Sequence, residues 1–250
     1  MKEVVATFGA ALFEGRSVVV SGATSGIGLA IARGFAVLGA RVRATGTSAE
    51  KIDIARQQPE SKGIEFSRLD VRDSEAVSLW MRGCESIDVL VNAQGIARPG
   101  DEWDEKTFLD VIDINLSSAF RLTIAALPQL ESSRGSVVNI ASMLSYLADA
   151  EVPAYTASKS GVLGLTRSLA HRFGAKGIRV NAVAPGYHTT EMTRGLWENP
   201  VEEARIAQRA ALKRWGTADD LVGAVLFLCS PAAAFITGAV LPVDGGYHTG

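Results

Sequence analysis

The stretch Ser17-Val18-Val19-Val20-Ser21-Gly22-Ala23-Thr24-Ser25-Gly26-Ile27-Gly28 constrains this chain more than any other. A β-branched apolar run meets glycines spaced G-x-x-x-G-x-G, and a helical pattern follows over Ile27–Leu38. Read as strand, turn and helix, the glycines have separate tasks. Gly22 permits the sharp turn, Gly26 lets backbone approach a ligand phosphate, and Gly28 lets the helix sit close to the sheet. The helix N-terminus, with Thr24, Ser25 and Ile27 around it, then offers unpaired N–H groups to a pyrophosphate. A glycine triplet alone marks only a tight turn. Its place between a first strand and an amphipathic helix makes it a dinucleotide signal.

The alternation continues along the chain. Strands are expected at Ser17–Ser21, Arg41–Thr45, Ile64–Leu69, Ile87–Val91, Ser136–Ala141, Ile178–Ala184 and Ala239–Val243. Helical patterns cover Ile27–Leu38, Asp73–Gly83, Asp104–Leu130, Tyr155–Phe173, 200–211 and 218–229. This order predicts an α/β fold: a parallel seven-stranded sheet with helices on both faces and ligands at the carboxyl ends of the strands. With 250 residues, 47% of them hydrophobic, the chain suits a single domain over 1–250. A formal net charge of -2, with mixed signs throughout, argues against a nucleic-acid-binding surface. Cys84 and Cys229 lie far apart in apolar patterns and read as buried free thiols, which fits a reducing cytosol. No apolar run approaches the roughly 18 residues of a membrane span, and Met1-Lys2-Glu3 opens no signal peptide. A soluble, cytoplasmic protein without membrane partners is expected.

Tyr155 and Lys159 stand four apart, which on a helix puts both on one face. An ammonium beside a phenol favours the phenolate and lowers a pKa that is ordinarily about 10. The pair is therefore a candidate acid–base centre, and Ser142 ends the apolar run just upstream of it. The same helix carries Ala157, Gly161 and Gly164. Glycine inside a helix costs up to about 1 kcal/mol against alanine, so a close neighbour is expected, either within the chain or across a subunit interface.

The order and spacing of several motifs now resemble the short-chain dehydrogenase/reductase family from about residue 12 onward. They are Gly22–Gly28, Asp70-Val71, Asn92-Ala93-Gln94-Gly95, Asn115, Ser142, Tyr155 with Lys159, Asn181, Pro185-Gly186 and Val243-Asp244-Gly245-Gly246. The resemblance implies one Rossmann-type, doubly wound, three-layer αβα domain with a nicotinamide cofactor and reversible carbonyl/alcohol chemistry. It makes Tyr155 the general acid in reduction and the general base in oxidation. Lys159 then tunes the phenol and holds the nicotinamide ribose, and Ser142 bonds the substrate oxygen as charge develops there. Asn115 is implied to kink its helix and hold a water joining Lys159 to solvent; a helix-surface amide is the alternative. No metal is implied.

Along the cofactor the resemblance places the glycine turn at the phosphates and Asp70-Val71 at the adenine, with a plain loop aspartate as the alternative. Asn92, Ala93 and Gly95 follow after the fourth strand, and Pro185, Gly186, His188 and Thr190 lie toward the nicotinamide. Gln94 departs from the small residue of the family's usual Asn-Asn-Ala-Gly and leaves its contacts open. Gly46 stands where NAD-dependent members carry an acid that repels a 2′-phosphate, and no carboxylate occurs before Glu50. NADP is therefore expected, with Thr47 and Ser48 as donors. The arginine that often follows in NADP-dependent members is absent, so NAD stays open.

The segment after Gly186, about 187–212, reads as a mobile substrate lid. His188 there touches substrate or cofactor, or else lies on the lid surface. The stretches Asn139–Ser145 and Val152–Val162, and Arg214-Trp215-Gly216 with Asp220-Leu221, are most similar to the gluconate 5-dehydrogenase and 2-deoxygluconate 3-dehydrogenase branch. A sugar acid, sugar or polyol is the expected substrate, and Arg98 is either its carboxylate partner or a solvated loop arginine. A 3-oxoacyl-carrier-protein reductase is the enzymatic alternative, on the strength of Thr45-Gly46-Thr47-Ser48. A nucleotide-sensing binding protein is disfavoured because all four polar catalytic positions are present. The family's usual homotetramer, or a dimer, is expected.

Overall fold

The computed structural model describes residues 1–250. Its strands are β1 (Ser17–Ser21), β2 (Arg41–Gly46), β3 (Ile64–Arg68), β4 (Val89–Asn92), β5 (Ser136–Ile140), β6 (Arg179–Pro185) and β7 (Val240–Val243). They form one parallel sheet in the order β3-β2-β1-β4-β5-β6-β7. The order reverses between β1 and β4, the switch point at which ligands enter doubly wound sheets. Ser21 pairs in register with Thr45 on one side and Asn92 on the other, so these strand ends share one rim.

The helices are α1 (Lys2–Val5), α2 (Gly26–Val37), α3 (Ala49–Gln57), α4 (Ser74–Arg82), α5 (Glu105–Ile112), α6 (Ser118–Ala125), α7 (Leu127–Ser133), α8 (Pro153–Phe173), α9 (Arg194–Trp197), α10 (Pro200–Arg209) and α11 (Asp219–Cys229). Side chains alternate across each strand, and the two sheet faces carry two cores. Val18 and Val20 join Ile31, Phe35, Val225 and Leu226 on one face. Val19 and Leu90 join Leu122, Leu130, Leu169 and Val180 on the other. Burying both faces explains the nearly unbroken apolar runs of β1, β4 and β5.

Two expectations change. The helical pattern over 104–130 is three helices, not one. A π-helical turn, Asp113–Ser117, separates α5 from α6 and carries Asn115. Pro128 at the start of α7, which cannot donate a backbone bond, accompanies a second break and a 59° bend. Helix α3 was not expected, because it is largely polar and buries only Ile52 and Ala55. The two glycines of α8 also differ: a Cβ at Gly161 would lie 2.7 Å from Leu116, whereas Gly164 has nothing within 4 Å. Intrachain packing accounts for the first glycine only. Both cysteines are free, with Cys84 buried. No single helix is long and apolar enough to cross a membrane.

The tightest point is the turn after β1. Gly22 has φ +73°, and a Cβ there would lie 2.5 Å from the Gln94 backbone. Left-handed backbone at a non-glycine residue and overpacking each cost roughly 1–3 kcal/mol. Gly22→Ala is expected to destabilise the protein by about 2–5 kcal/mol, read as a lower urea midpoint.

Candidate functional site

A cleft of ≈ 640 Å³ opens at the carboxyl ends of β1, β2 and β4. Its floor is the Gly22–Gly28 turn. Helices α3, α4, α5 and α10 begin on side-chain caps from Ser48, Asp73, Asp104 and Asn199. Helix α2 has none: Ser25 stands at its N-cap without capping it. Its first amides therefore face the cleft with no internal partner, the arrangement that holds a phosphate. A Cβ on Gly28 would lie 2.2 Å from the Gly22 carbonyl oxygen, so the turn closes only with glycine there. Thr24, Ser25, Gly26 and Ile27 line the same wall. These residues fit a dinucleotide, and they are where its pyrophosphate would rest.

At the β2 end, a Cβ on Gly46 would lie 2.6 Å from the Thr24 side chain, so no acidic side chain fits there without displacing Thr24. Thr47, Ser48 and Lys51 follow along the cleft. Asp70 and Val71 also line it, as expected for the adenine end, but Asp70 is engaged. Arg72 donates to both of its oxygens, at 2.7 Å from Nη2 to Oδ2 and 3.0 Å from Nε to Oδ1. This guanidinium holds the Asp70 carboxyl below the usual carboxylate range. Arg72 bridges on to Asp110, which Arg98 also meets at 3.4 Å. The Arg98 side chain thus joins the charged rim of the cofactor cleft, half exposed and paired with Asp110.

Other expected cofactor residues divide. Ala93, Gln94 and Gly95 line the cleft. Asn92 does not. It is buried, and its Nδ2 donates to Asn139 Oδ1 at 2.8 Å, tying β4 to β5 as a structural amide. Gln94 is also buried and donates to Ser118 Oγ at 2.7 Å, which settles where its longer side chain goes. Gly186 packs against Asp244, where a Cβ would lie 2.6 Å from that side chain, and Pro185 ends β6. His188 is corrected: its ring is buried, bonded to the Gly186 carbonyl at 3.0 Å and pressed on Gly216. Neither a lid-surface histidine nor an exposed side chain in the cleft is observed. Burial lowers its pKa, which favours the neutral ring. Thr190 does line the cleft, with Glu191 and Met192 beside it.

The candidate catalytic groups come together on three elements. Ser142 follows β5, and its Oγ accepts from Leu144 N at 3.1 Å, which leaves its own proton free to donate. Pro153 opens α8 and places Tyr155 and Lys159 one turn apart on one face. Lys159 Nζ lies 5.5 Å from the Tyr155 ring centroid and donates to the Ile140 carbonyl at 2.7 Å. Asn115, in the π-helical turn, accepts from Ile96 N at 2.8 Å and donates to Ile96 O at 2.9 Å and Ser158 Oγ at 3.2 Å. It kinks its helix as expected, and its amide pins the backbone after Gly95. A Cβ on Gly95 would lie 3.5 Å from both Asn115 Oδ1 and Lys159 Nζ.

Two positioning residues escaped the sequence reading. Ser145 Oγ accepts from Ser142 N at 3.3 Å and donates to Lys159 O at 2.7 Å, joining the serine turn to the catalytic helix. Glu102 is fully buried and accepts from Arg98 N at 2.9 Å and Tyr155 N at 2.8 Å. No local pattern marks either residue, because their partners are 14 and 53 positions away.

The electrostatics overturn one expectation. The phenol was expected to be lowered by its lysine. Burial instead dominates and pushes Tyr155 up, the Ser142 hydroxyl acts the other way, and the Glu102 carboxylate adds to the rise. Burial also brings Lys159 down to about 8 from an ordinary 10.5. At this one site the unfolded chain therefore holds more protons between these values, and the contribution of Lys159 to stability rises with pH across that window. Lys159→Met is expected to stabilise the fold at pH 7 by on the order of 1–3 kcal/mol while abolishing activity. That gain should vanish above the upper value, as read by urea unfolding at pH 7 and beyond 10.5.

With this geometry in hand, comparison with known proteins is specific. A family model described as Enoyl-(Acyl carrier protein) reductase matches residues 22–248. A gluconate 5-dehydrogenase of Gluconobacter oxydans is 38% identical over 241 residues, covering 93% of this chain and 94% of the relative. A 3-oxoacyl-acyl-carrier-protein reductase of Escherichia coli is 36% identical over 247 residues, covering 94% and 98%. The crystal structure of a gluconate 5-dehydrogenase from Burkholderia cenocepacia, in complex with NADP and tartrate, superposes with a TM-score of 0.90 at 31% identity, over 96% of this chain and 98% of that one.

Proposed function

This chain belongs to the short-chain dehydrogenase/reductase family, and on that premise we propose that it is an NADP-dependent oxidoreductase of sugar acids or closely related polyols. One observation carries the reading: the buried Lys159 ammonium beneath the Tyr155 ring, beside a dinucleotide-sized cleft whose β2 end has no room for an acid. A nicotinamide held in the cleft would supply the hydride exchange with the substrate carbon. Tyr155 gives the substrate oxygen a proton in reduction and takes it back in oxidation. Ser142 donates to that oxygen, its hydroxyl already oriented by Leu144 N. Lys159 stabilises the phenolate as it forms, and the Ser142 hydroxyl counters the rise that burial imposes on the phenol. Asn115 holds the Gly95–Ile96 backbone beside the Lys159 ammonium.

The aromatic side chains Tyr187, Trp215 and Tyr247 pack together beside Tyr155 and Trp197, and they support a walled substrate end beneath a lid over about 187–212. The sugar-acid class rests on the gluconate 5-dehydrogenases among its relatives. Reduction of a 3-oxoacyl carrier protein is the second reading, favoured by the Escherichia coli relative. A panel of sugar acids, polyols, their keto forms and a β-ketoacyl thioester, run with both NAD and NADP, separates the two. Turnover is expected with sugar acids and NADP, and turnover of the thioester alone would reverse the assignment. In the same assay Tyr155→Phe should lower kcat by about 10²–10⁴-fold with cofactor binding retained.

The reading extends to a cytoplasmic homotetramer built from a single nucleotide-binding domain. Leu109 of α5 and Phe120 and Ile124 of α6 are exposed, and the Gly164 face of α8 is open, as helix packing between subunits would use. Light scattering is expected to give four times the 26.4 kDa chain mass. A Phe120→Arg, Ile124→Arg double variant should give a smaller species.

A further inference from the structure

Lys51 and Glu191 meet across the mouth of the cofactor cleft, and both line it. Lys51 lies in the first turn of α3, and its backbone N–H is held by the Ser48 hydroxyl at 3.2 Å. It therefore belongs to the Gly46–Ser48 strand end, where an adenosine ribose would sit. Its Nζ donates to Glu191 Oε2 at 2.7 Å, 140 positions further along the chain, in the lid segment. Arg68, another cation at this strand end, donates its Nε to the Thr47 carbonyl at 3.0 Å and does not line the cleft.

We propose that Lys51 is a shared cation: it binds the 2′-phosphate of NADP and in doing so releases Glu191, so that the phosphate, rather than the dinucleotide as such, unlatches the lid. The inference rests on the NADP reading above and assigns the charge that reading lacked. The Lys51–Glu191 pair is half exposed, at 44% and 56% of its side chains, and such pairs hold weakly. A phosphate dianion presents the same ammonium with more charge and more acceptor oxygens than one carboxylate, and Thr47 and Ser48 stand beside it. Once the phosphate is bound, the Glu191 carboxylate faces a like charge. The lid responds as a unit because it is bonded internally. Trp197 Nε1 donates to Thr190 O at 2.9 Å, and Thr193 Oγ1 donates to His188 O at 2.6 Å. NAD, which has no 2′-phosphate, leaves the latch closed.

The test is calorimetric titration of NADP and NAD into the wild type, Lys51→Gln and Glu191→Gln. Lys51→Gln is expected to raise the NADP Kd by about tenfold or more and leave the NAD Kd within about twofold. Glu191→Gln is expected to tighten NADP several-fold, because the competing carboxylate is gone, and to leave NAD unchanged. Trp197 fluorescence, assigned with Trp197→Phe, should respond to NADP and not to NAD. Equal weakening of both cofactors by Glu191→Gln would make the pair a clamp on the dinucleotide and overturn the shared-cation assignment. An NADP-to-NAD ratio unmoved by Lys51→Gln would overturn it too. Failure of the wild type to bind either cofactor would instead sink the nicotinamide reading itself.

Discussion

The passage of the β1–α2 turn over the end of β4 is the constraint on which the structure depends. Gly22 lies so close to the Gln94 backbone that no side chain fits between them. That contact joins the first strand to its central neighbour and sets the height of α2 above the sheet. It also aims the uncapped amides of α2 into the cleft rather than into the core. Relaxing it would open the sheet's switch point and remove the phosphate seat together. Stability and ligand binding are here one piece of geometry.

The second organising feature is costly. Lys159 is an ammonium in a buried site, held by the Ile140 carbonyl and an aromatic face. Desolvation depresses its pKa and raises that of Tyr155. The protein tolerates this because the elements around the pair are tied to one another. Ser145 links the serine turn to α8, Glu102 anchors the first turn of α8, and Asn115 fastens the loop after β4. A site that stores unfavourable electrostatics has to be over-determined by its surroundings. The two positioning residues, Ser145 and Glu102, do that from neighbouring segments.

The segment after β6 closes the cleft from the far side. Its residues Thr190, Glu191 and Met192 face the glycine turn, and a Cβ on Gly26 would lie 3.8 Å from Thr190. This segment and the glycine turn are therefore in direct reach of one another. Arg98 and Asp70 belong to a chain of alternating charges with Arg72 and Asp110 along the same rim. Any ligand that enters meets paired groups there, and it gains only the difference between its own contacts and those it replaces.

How much of this was legible in the chain depends on the range of the interaction. The strand positions, the glycine turn and the Tyr155–Lys159 face follow from local patterns with periods of two and 3.6. Helix α3 escaped because a polar surface helix has little periodicity to read. The kink at Asn115 was implied by the family resemblance alone, because a π-helical turn keeps the apolar pattern almost unaltered. The fates of Asn92 and His188 were decided by tertiary packing. One is an amide clasp between strands, and the other is a ring buried against Gly216. The sequence by itself determined the fold, the shared helix face of Tyr155 and Lys159 and the absence of an acid after β2. Only the tertiary structure decided the direction of the phenol's pKa, the burial of Glu102 and the meeting of Lys51 with Glu191. Desolvation and long-range pairing depend on what surrounds a group in space, which no local pattern records.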